Sequence, residues 1–149
     1  MVRARPFETD DAVFQAAERV WWALESGDWL EAFSCHPRIG DRGDERRRGT
    51  TGDDGESQGH NVAAEWSREE QRGANVATEE IRAALAKGNR EYEARFGHVF
   101  LICATGRSAQ EMLAALQQRL HNSPSAELKI AAAEQARITR LRLEKLVTP

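Results

Sequence analysis

A chain of 149 residues is the size of one ordinary domain and can bury a core without metal or disulfide staples. Its 40% apolar and 30% charged residues exclude a disordered chain on one side and a membrane-embedded one on the other, and a net charge of −3 gives no field that would hold nucleic acid. Cys35 and Cys103 stand far apart, so neither a zinc cluster nor a disulfide framework is expected, and a reducing cytoplasm fits best.

In chain order, apolar residues Ala12, Val13, Ala16, Ala17, Val20, Trp21 and Leu24 recur three and four apart between Thr9 and Glu25, the spacing of one buried helical stripe. Gly27 is expected to end that helix, and Asp28 to cap a short second one over Trp29–Phe33 that delivers the chain to Cys35-His36-Pro37. Pro37 disfavours helical geometry at His36, which places His36 at a helix end or in the turn after it. From Arg38 to Gly59 glycines and charges dominate, and a long surface loop is expected up to about residue 60.

Asn61–Gln71 has a helical pattern, and a further helix is expected from a Thr78 cap, with Gly88 as a point of interruption and Gly97 just beyond its end. Phe96–Ala104 is an apolar run that periodicity alone assigns to neither strand nor helix; it is expected to be buried and in part non-helical. Ser108-Ala109-Gln110-Glu111 has capping-box spacing and opens a helix through Leu120. Ser123-Pro124 opens the last helix, which runs to about Leu146 with Ile130, Ala133, Ile138, Leu141 and Leu146 as its apolar face. The result is an all-α, single-domain bundle over residues 1–149, with a non-helical apolar connector near 96–105.

The N-terminus leads into acidic residues rather than a signal-type apolar run, no stretch approaches the roughly 18 apolar residues of a membrane span, and Val147-Thr148-Pro149 is no peroxisomal address. A soluble, cytoplasmic protein without membrane or nucleic-acid partners is therefore expected. Arg46-Arg47-Arg48 lies among six acidic residues and suits a solvated loop better than a phosphate site. No metal is expected, because no His-x-x-x-His, Cys-x-x-Cys or calcium-loop spacing occurs.

Of the four histidines, His36 has its backbone fixed by a preceding helix and a following proline, as a proton-transfer group requires. Ser67, Glu70 and Gln71 stand at i, i+3 and i+4, one face of a helix: either an ordinary wet face or a polar wall suited to a nitrogen-rich heterocycle. Arg142, flanked by leucines, suits partial burial, where its fork pairs either with an internal carboxylate such as Glu70 or with a substrate anion.

Five motifs in order, His36-Pro37-Arg38-Ile39-Gly40, Ser67-x-x-Glu70-Gln71, Phe96-Gly97-x-x-Phe100-Leu101-Ile102, Gly106-Arg107-Ser108-Ala109-x-Glu111 and Ile138-Thr139-x-Leu141-Arg142-Leu143, resemble the OHCU decarboxylases. OHCU is 2-oxo-4-hydroxy-4-carboxy-5-ureidoimidazoline, which that family converts to S-allantoin in urate catabolism. The resemblance implies an all-helical homodimer that works without a cofactor, with His36, Glu70 and Arg142 as catalytic residues. It further implies Pro37, Ser67 and Gln71 beside the ligand, and the backbone of Phe100, Leu101, Ile102, Cys103 and Ala104 facing it. His98 departs from the family pattern, as does the Gly- and Asp-rich stretch after His36. Two other classes remain open from the residues alone: a helical interaction module, which a large exposed apolar patch would reveal, and a nucleic-acid binder, which steep salt dependence would reveal.

Overall fold

The computed structural model describes residues 6–40 and 79–147. Most of the expected surface loop, the 61–71 helix with Ser67, Glu70 and Gln71, and the Thr78 cap lie outside the described residues.

Among the described residues the regular structure is helical: α1 (Asp10–Trp22), α2 (Ser26–Ser34), α3 (Glu79–Phe96), α4 (Ala109–Arg119) and α5 (Pro124–Val147). The all-α expectation holds for them. α3 packs along α4 and also touches α5, while α1 and α2 lie on α5. Thr9 caps α1 by accepting from the Ala12 amide at 3.2 Å, leaving Asp10 and Asp11 in the first turn, where the helix dipole favours negative charge.

The junction between α1 and α2 differs from the expectation. α1 stops at Trp22 with Ala23 as C-cap, and Gly27 lies in the first turn of α2 rather than ending α1. Asp28 is not the cap residue either: it occupies the third position of a capping box whose cap is Glu25, and its carboxylate accepts from the Glu25 amide at 2.9 Å. The expected stripe is buried only at Ala16 and half-buried at Ala12, Val13, Ala17 and Trp21, while Val20 and, beyond the helix end, Leu24 are exposed. Two indoles hold this corner: Trp21 Nε1 donates to the Ala132 carbonyl of α5 at 2.9 Å, and Trp29 Nε1 donates to the Trp21 carbonyl at 3.1 Å.

Gly88 does not interrupt α3. A Cβ there would lie 2.6 Å from Leu116 Cδ2, so glycine is what lets α3 and α4 approach. Gly97, at φ +77, follows the helix end as expected. The Ser108/Glu111 capping box of α4 forms with both reciprocal bonds, and the Ser108 amide holds the Glu111 carboxyl below its usual range. Ser123 accepts from the Ala126 amide at 3.3 Å and opens α5.

The apolar face expected on α5 is shifted. Ile130 and Leu146 are exposed, while Ala131, Ala132 and Ile138 are buried together with Glu127, Glu134 and Gln135. Polar residues sit on that inner face because each of the two carboxylates has buried donors to meet, which hydrophobic patterning cannot register.

The core divides into two clusters, and the stretch after α3 runs between them. Phe100, Ile102 and Ala104 belong to one with Ile39, Leu85, Tyr92, Met112 and Leu116. Leu101 and Cys103 belong to the other with Phe33, Ala131, Ala132 and Ile138. This alternation is the signature of an extended chain, so the connector is non-helical as expected and buried from Phe100 to Ala104, whereas Phe96, counted with it from the sequence, still belongs to α3 and Val99 is half-buried.

Candidate active site

α2 ends at Ser34, the His36 amide donates to the Phe33 carbonyl at 3.1 Å, and His36 stands half-buried in the bend that follows, where Pro37 prevents the helix from continuing. Residues three before and three after His36 anchor this turn to the interior. Phe33 is fully buried, with its ring 5.3 Å from that of His98 at the entry to the connector. Ile39 is buried in the cluster that holds Phe100, Ile102 and Ala104.

The expected surface loop therefore carries a core residue, Ile39, at its second position. The sequence shows only one isoleucine among charges there, too little to signal a plug. Two polar contacts from α3 fix the same turn: Asn89 Nδ2 donates to the Ile39 carbonyl at 2.8 Å, and Arg38 grips Glu93 with Nε–Oε1 at 2.5 Å and Nη2–Oε2 at 2.8 Å. That two-pronged bond, more than the Arg38 charge itself, holds the Glu93 carboxyl below its usual range.

The connector has its own anchors. The Leu101 carbonyl accepts from Arg119 Nη1 at 2.7 Å, and the Cys103 amide donates to Glu134 Oε2 at 2.7 Å. Arg119 reaches Leu101 from a buried network: its Nε and Nη2 donate to Glu127 Oε1 at 2.8 and 2.5 Å, and its guanidinium lies 4.6 Å from the centre of the Phe100 ring. Tyr92 donates its hydroxyl to the same Glu127 oxygen, and Asn122 Nδ2 donates to the other at 2.9 Å. Burial first, and the bond to the Glu127 carboxylate second, push the Tyr92 hydroxyl well above its usual range, so it stays a donor across the working pH range. Glu134 is backed by Arg137, at 2.8 Å, and by Arg107, at 3.9 Å.

Phe100, Leu101, Ile102, Cys103 and Ala104 are thus all buried on one extended segment, and the turn after His36 plugs into the cluster shared by three of them. Pro37 is exposed beside His36. Arg142 is half-buried on α5, one residue after Leu141, which packs against the cluster of Leu101 and Cys103. Ser67, Glu70 and Gln71 lie outside the described residues, so their position relative to His36 does not enter this geometry. Sequence reading passed over Arg119, Glu127 and Glu134. Arg119 and Glu127 are only eight positions apart, but they sit on different helices, and neither carries a local motif.

Chemically, these elements offer a half-buried imidazole at His36 and a segment of buried peptide groups, with the Arg142 guanidinium half-buried on α5. Imidazole can move a proton near neutral pH, and peptide donors and acceptors can orient a polar heterocycle.

Known proteins with similar sequences and structures match three quarters of the chain or more. The family model described as OHCU decarboxylase matches residues 1–144. A uric acid degradation bifunctional protein, TTL, of Arabidopsis thaliana is 35% identical over 151 aligned positions, covering 98% of this chain and 42% of that protein. A 2-oxo-4-hydroxy-4-carboxy-5-ureidoimidazoline decarboxylase of Amia calva is 32% identical over 113 positions, covering 76% of this chain and 58% of that one. The chain therefore spans between two fifths and three fifths of these two relatives' lengths. A crystal structure of OHCU decarboxylase in the presence of (S)-allantoin superposes with a TM-score of 0.77 at 34% identity, covering 99% of this chain and 87% of that one.

Proposed function

Because the chain belongs to the OHCU decarboxylase family, we propose that it converts OHCU to S-allantoin in urate breakdown, without a cofactor and with His36 as general acid–base. The observation that carries this reading is the His36 turn, tied on one side through Phe33 to His98 and on the other through Ile39 to the cluster of Phe100, Ile102 and Ala104. A proton-transfer group and a segment of buried peptide groups are thereby joined through shared packing, as positioning a heterocycle for proton transfer requires.

The reaction follows from the substrate's own bonds. When the bond from C4 to the carboxylate breaks, its electron pair forms a C4=C5 double bond, and the former C5=N pair passes to nitrogen, which takes a proton. The C4 hydroxyl then gives up its proton to become the carbonyl, and C5 gains one. Since the ring itself accepts the electrons, no separate electron sink is needed, in contrast to decarboxylations that rely on a bound organic cofactor. His36, oriented by Glu70, takes the C4 hydroxyl proton. Arg142 and the Gln71 amide orient the ring and ureido groups, Ser67 and Pro37 border the ligand, and the Phe100–Ala104 segment lines it with backbone. The buried connector disfavours a solvated carboxylate relative to the less localised charge of the transition state. Protonation from one side of C5 gives one enantiomer.

The test is circular dichroism of freshly generated OHCU with and without the protein. Rapid growth of the S-allantoin signal is expected, with His36→Asn lowering turnover by about 10²- to 10⁴-fold, the usual contribution of a general acid–base group. Slow racemic decay in the presence of folded wild-type protein would overturn the reading. Family resemblance also supports a cytoplasmic homodimer of one-domain chains, for which sedimentation at several concentrations should give twice the 16.7 kDa chain mass.

A further inference from the structure

The connector alternates its side chains between two clusters, so it is extended over Phe100–Ala104. In an extended chain the amide and carbonyl of one residue point to the same edge, and those of the next residue point to the opposite edge. Leu101 and Cys103 therefore share one edge, and Phe100, Ile102 and Ala104 share the other. The two charged grips fall on a single edge: Arg119 on the Leu101 carbonyl and Glu134 on the Cys103 amide, both at 2.7 Å and both from buried side chains. On the opposite edge the Ala104 carbonyl accepts from the Arg107 amide at 3.0 Å, closing the turn toward α4.

A free edge strand would normally pair with another strand, but here an arginine and a glutamate take the places a neighbouring strand would fill. We propose that Glu134 is a positioning residue which, together with Arg119, clamps the Leu101–Cys103 edge of the connector and so presents the opposite edge, centred on the Ile102 amide and carbonyl, to the substrate's ring and ureido amides. This rests on the decarboxylase reading above. It deepens that reading by dividing five binding residues into a held edge and a reading edge, and by giving a role to a carboxylate outside the family-implied site.

The two clamps differ in how they can be tested. Removing Arg119 leaves the fully buried Glu127 without its cation, and such a variant can fail simply by not folding. Glu134 is the cleaner probe, because its other partners, Arg107 and Arg137, are considerably more exposed and can be solvated when the carboxylate is gone. Glutamine at this position keeps an oxygen to accept from the Cys103 amide and gives up only the charge pairs.

The experiment measures KM and kcat for OHCU in wild type, Glu134→Ala and Glu134→Gln, with amide hydrogen exchange at Cys103 on the same proteins. Expected for Glu134→Ala is a rise in KM of about tenfold with kcat held within about threefold, the pattern of lost substrate binding rather than lost chemistry. Its Cys103 amide should exchange faster, and Glu134→Gln should restore both readings toward wild type. A purely structural role predicts something else: Glu134→Ala would reduce the active fraction, and with it apparent kcat, while leaving KM unmoved. That result, or an unchanged Cys103 exchange rate, would overturn the inference. Wild-type protein that fails to accelerate OHCU decay would overturn the decarboxylase reading and with it the substrate half of this inference, while the exchange measurement still decides the clamp.

Discussion

The chain leaves helical geometry at two functionally suggestive places, and it holds them by opposite means. The turn from His36 to Gly40 is fixed by an apolar plug, Ile39, by the neutral Asn89 amide on the Ile39 carbonyl, and by an ion pair, Arg38–Glu93, whose arginine is half exposed. The connector from Val99 to Ala104 is fixed by buried charge: Arg119 and Glu134 bond directly to its peptide groups, and Glu127 and Tyr92 hold Arg119 in place. An exposed pair is worth little because water competes for both partners, whereas a buried charge that loses its partner has nothing to replace it. The connector should therefore be the rigid partner. The turn owes its position to packing and one neutral hydrogen bond, which leaves His36 on the softer of the two supports.

Substitutions can break that contrast, and the largest effect is expected at the buried network. Arg119→Ala should destabilise the fold by about 3–5 kcal/mol, the cost of stranding a buried carboxylate, and urea denaturation would measure it. A loss under 1 kcal/mol would mean that Glu127 finds another partner or water without difficulty. Next comes the plug: Ile39→Ala should cost about 2 kcal/mol or somewhat more, as truncation of a buried isoleucine does, and should lower turnover further than the stability loss explains, because the His36 turn loses its anchor. Equal activity per folded molecule would show that the turn is held without it.

Gly88→Ala tests the frame that both regions share. Alanine gains roughly 1 kcal/mol of helix propensity, but its Cβ would meet Leu116 at 2.6 Å within a side chain that has no exposed surface. Overpacking of that kind costs about 1–3 kcal/mol, so the net effect should be a modest loss of stability. A gain, measured as a higher Tm, would mean that Leu116 rotates aside freely.

The smallest effect belongs to Arg38→Ala, at about 0–1 kcal/mol near neutral pH. Its sharper signature is in acid. The Glu93 carboxyl titrates below its ordinary range in the folded chain, so the pair's contribution is fully present above the ordinary glutamate range and fades as pH falls through the lowered folded value. Wild type and variant should differ in stability at neutral pH and converge in strong acid; parallel curves throughout would remove the pair from the account.

Legibility in the sequence followed the range of the interaction. The Ser108/Glu111 box, the Ser123-Pro124 start of α5, the glycine at 97 and the exit of the chain from α2 at His36 are all set by neighbours within four residues, and each was readable. The connector was readable as a buried apolar run because it breaks helical periodicity. Its anchors were not, since Arg119 and Glu134 reach it across 18 and 31 positions and resemble, on their own helices, ordinary solvated charges. The same limit shifted the α5 face: Ile130 fitted an apolar stripe, but the side facing the connector needed carboxylates, so the helix turned Glu127 and Glu134 inward and left Ile130 exposed. Gly27 misled for a different reason, because a glycine in the first turn of α2 looks in one dimension much like a glycine that ends α1.

Because both grips on the connector fall on backbone atoms, they are indifferent to which side chains the segment carries. Leucine at 101 or cysteine at 103 can be exchanged for another residue of similar volume and the carbonyl and amide remain where Arg119 and Glu134 expect them. Proline at 103 is the exception, since it has no amide hydrogen to give. The segment can thus vary in composition over evolutionary time while keeping its shape, and the selective burden falls on two charged residues in the helices that flank it.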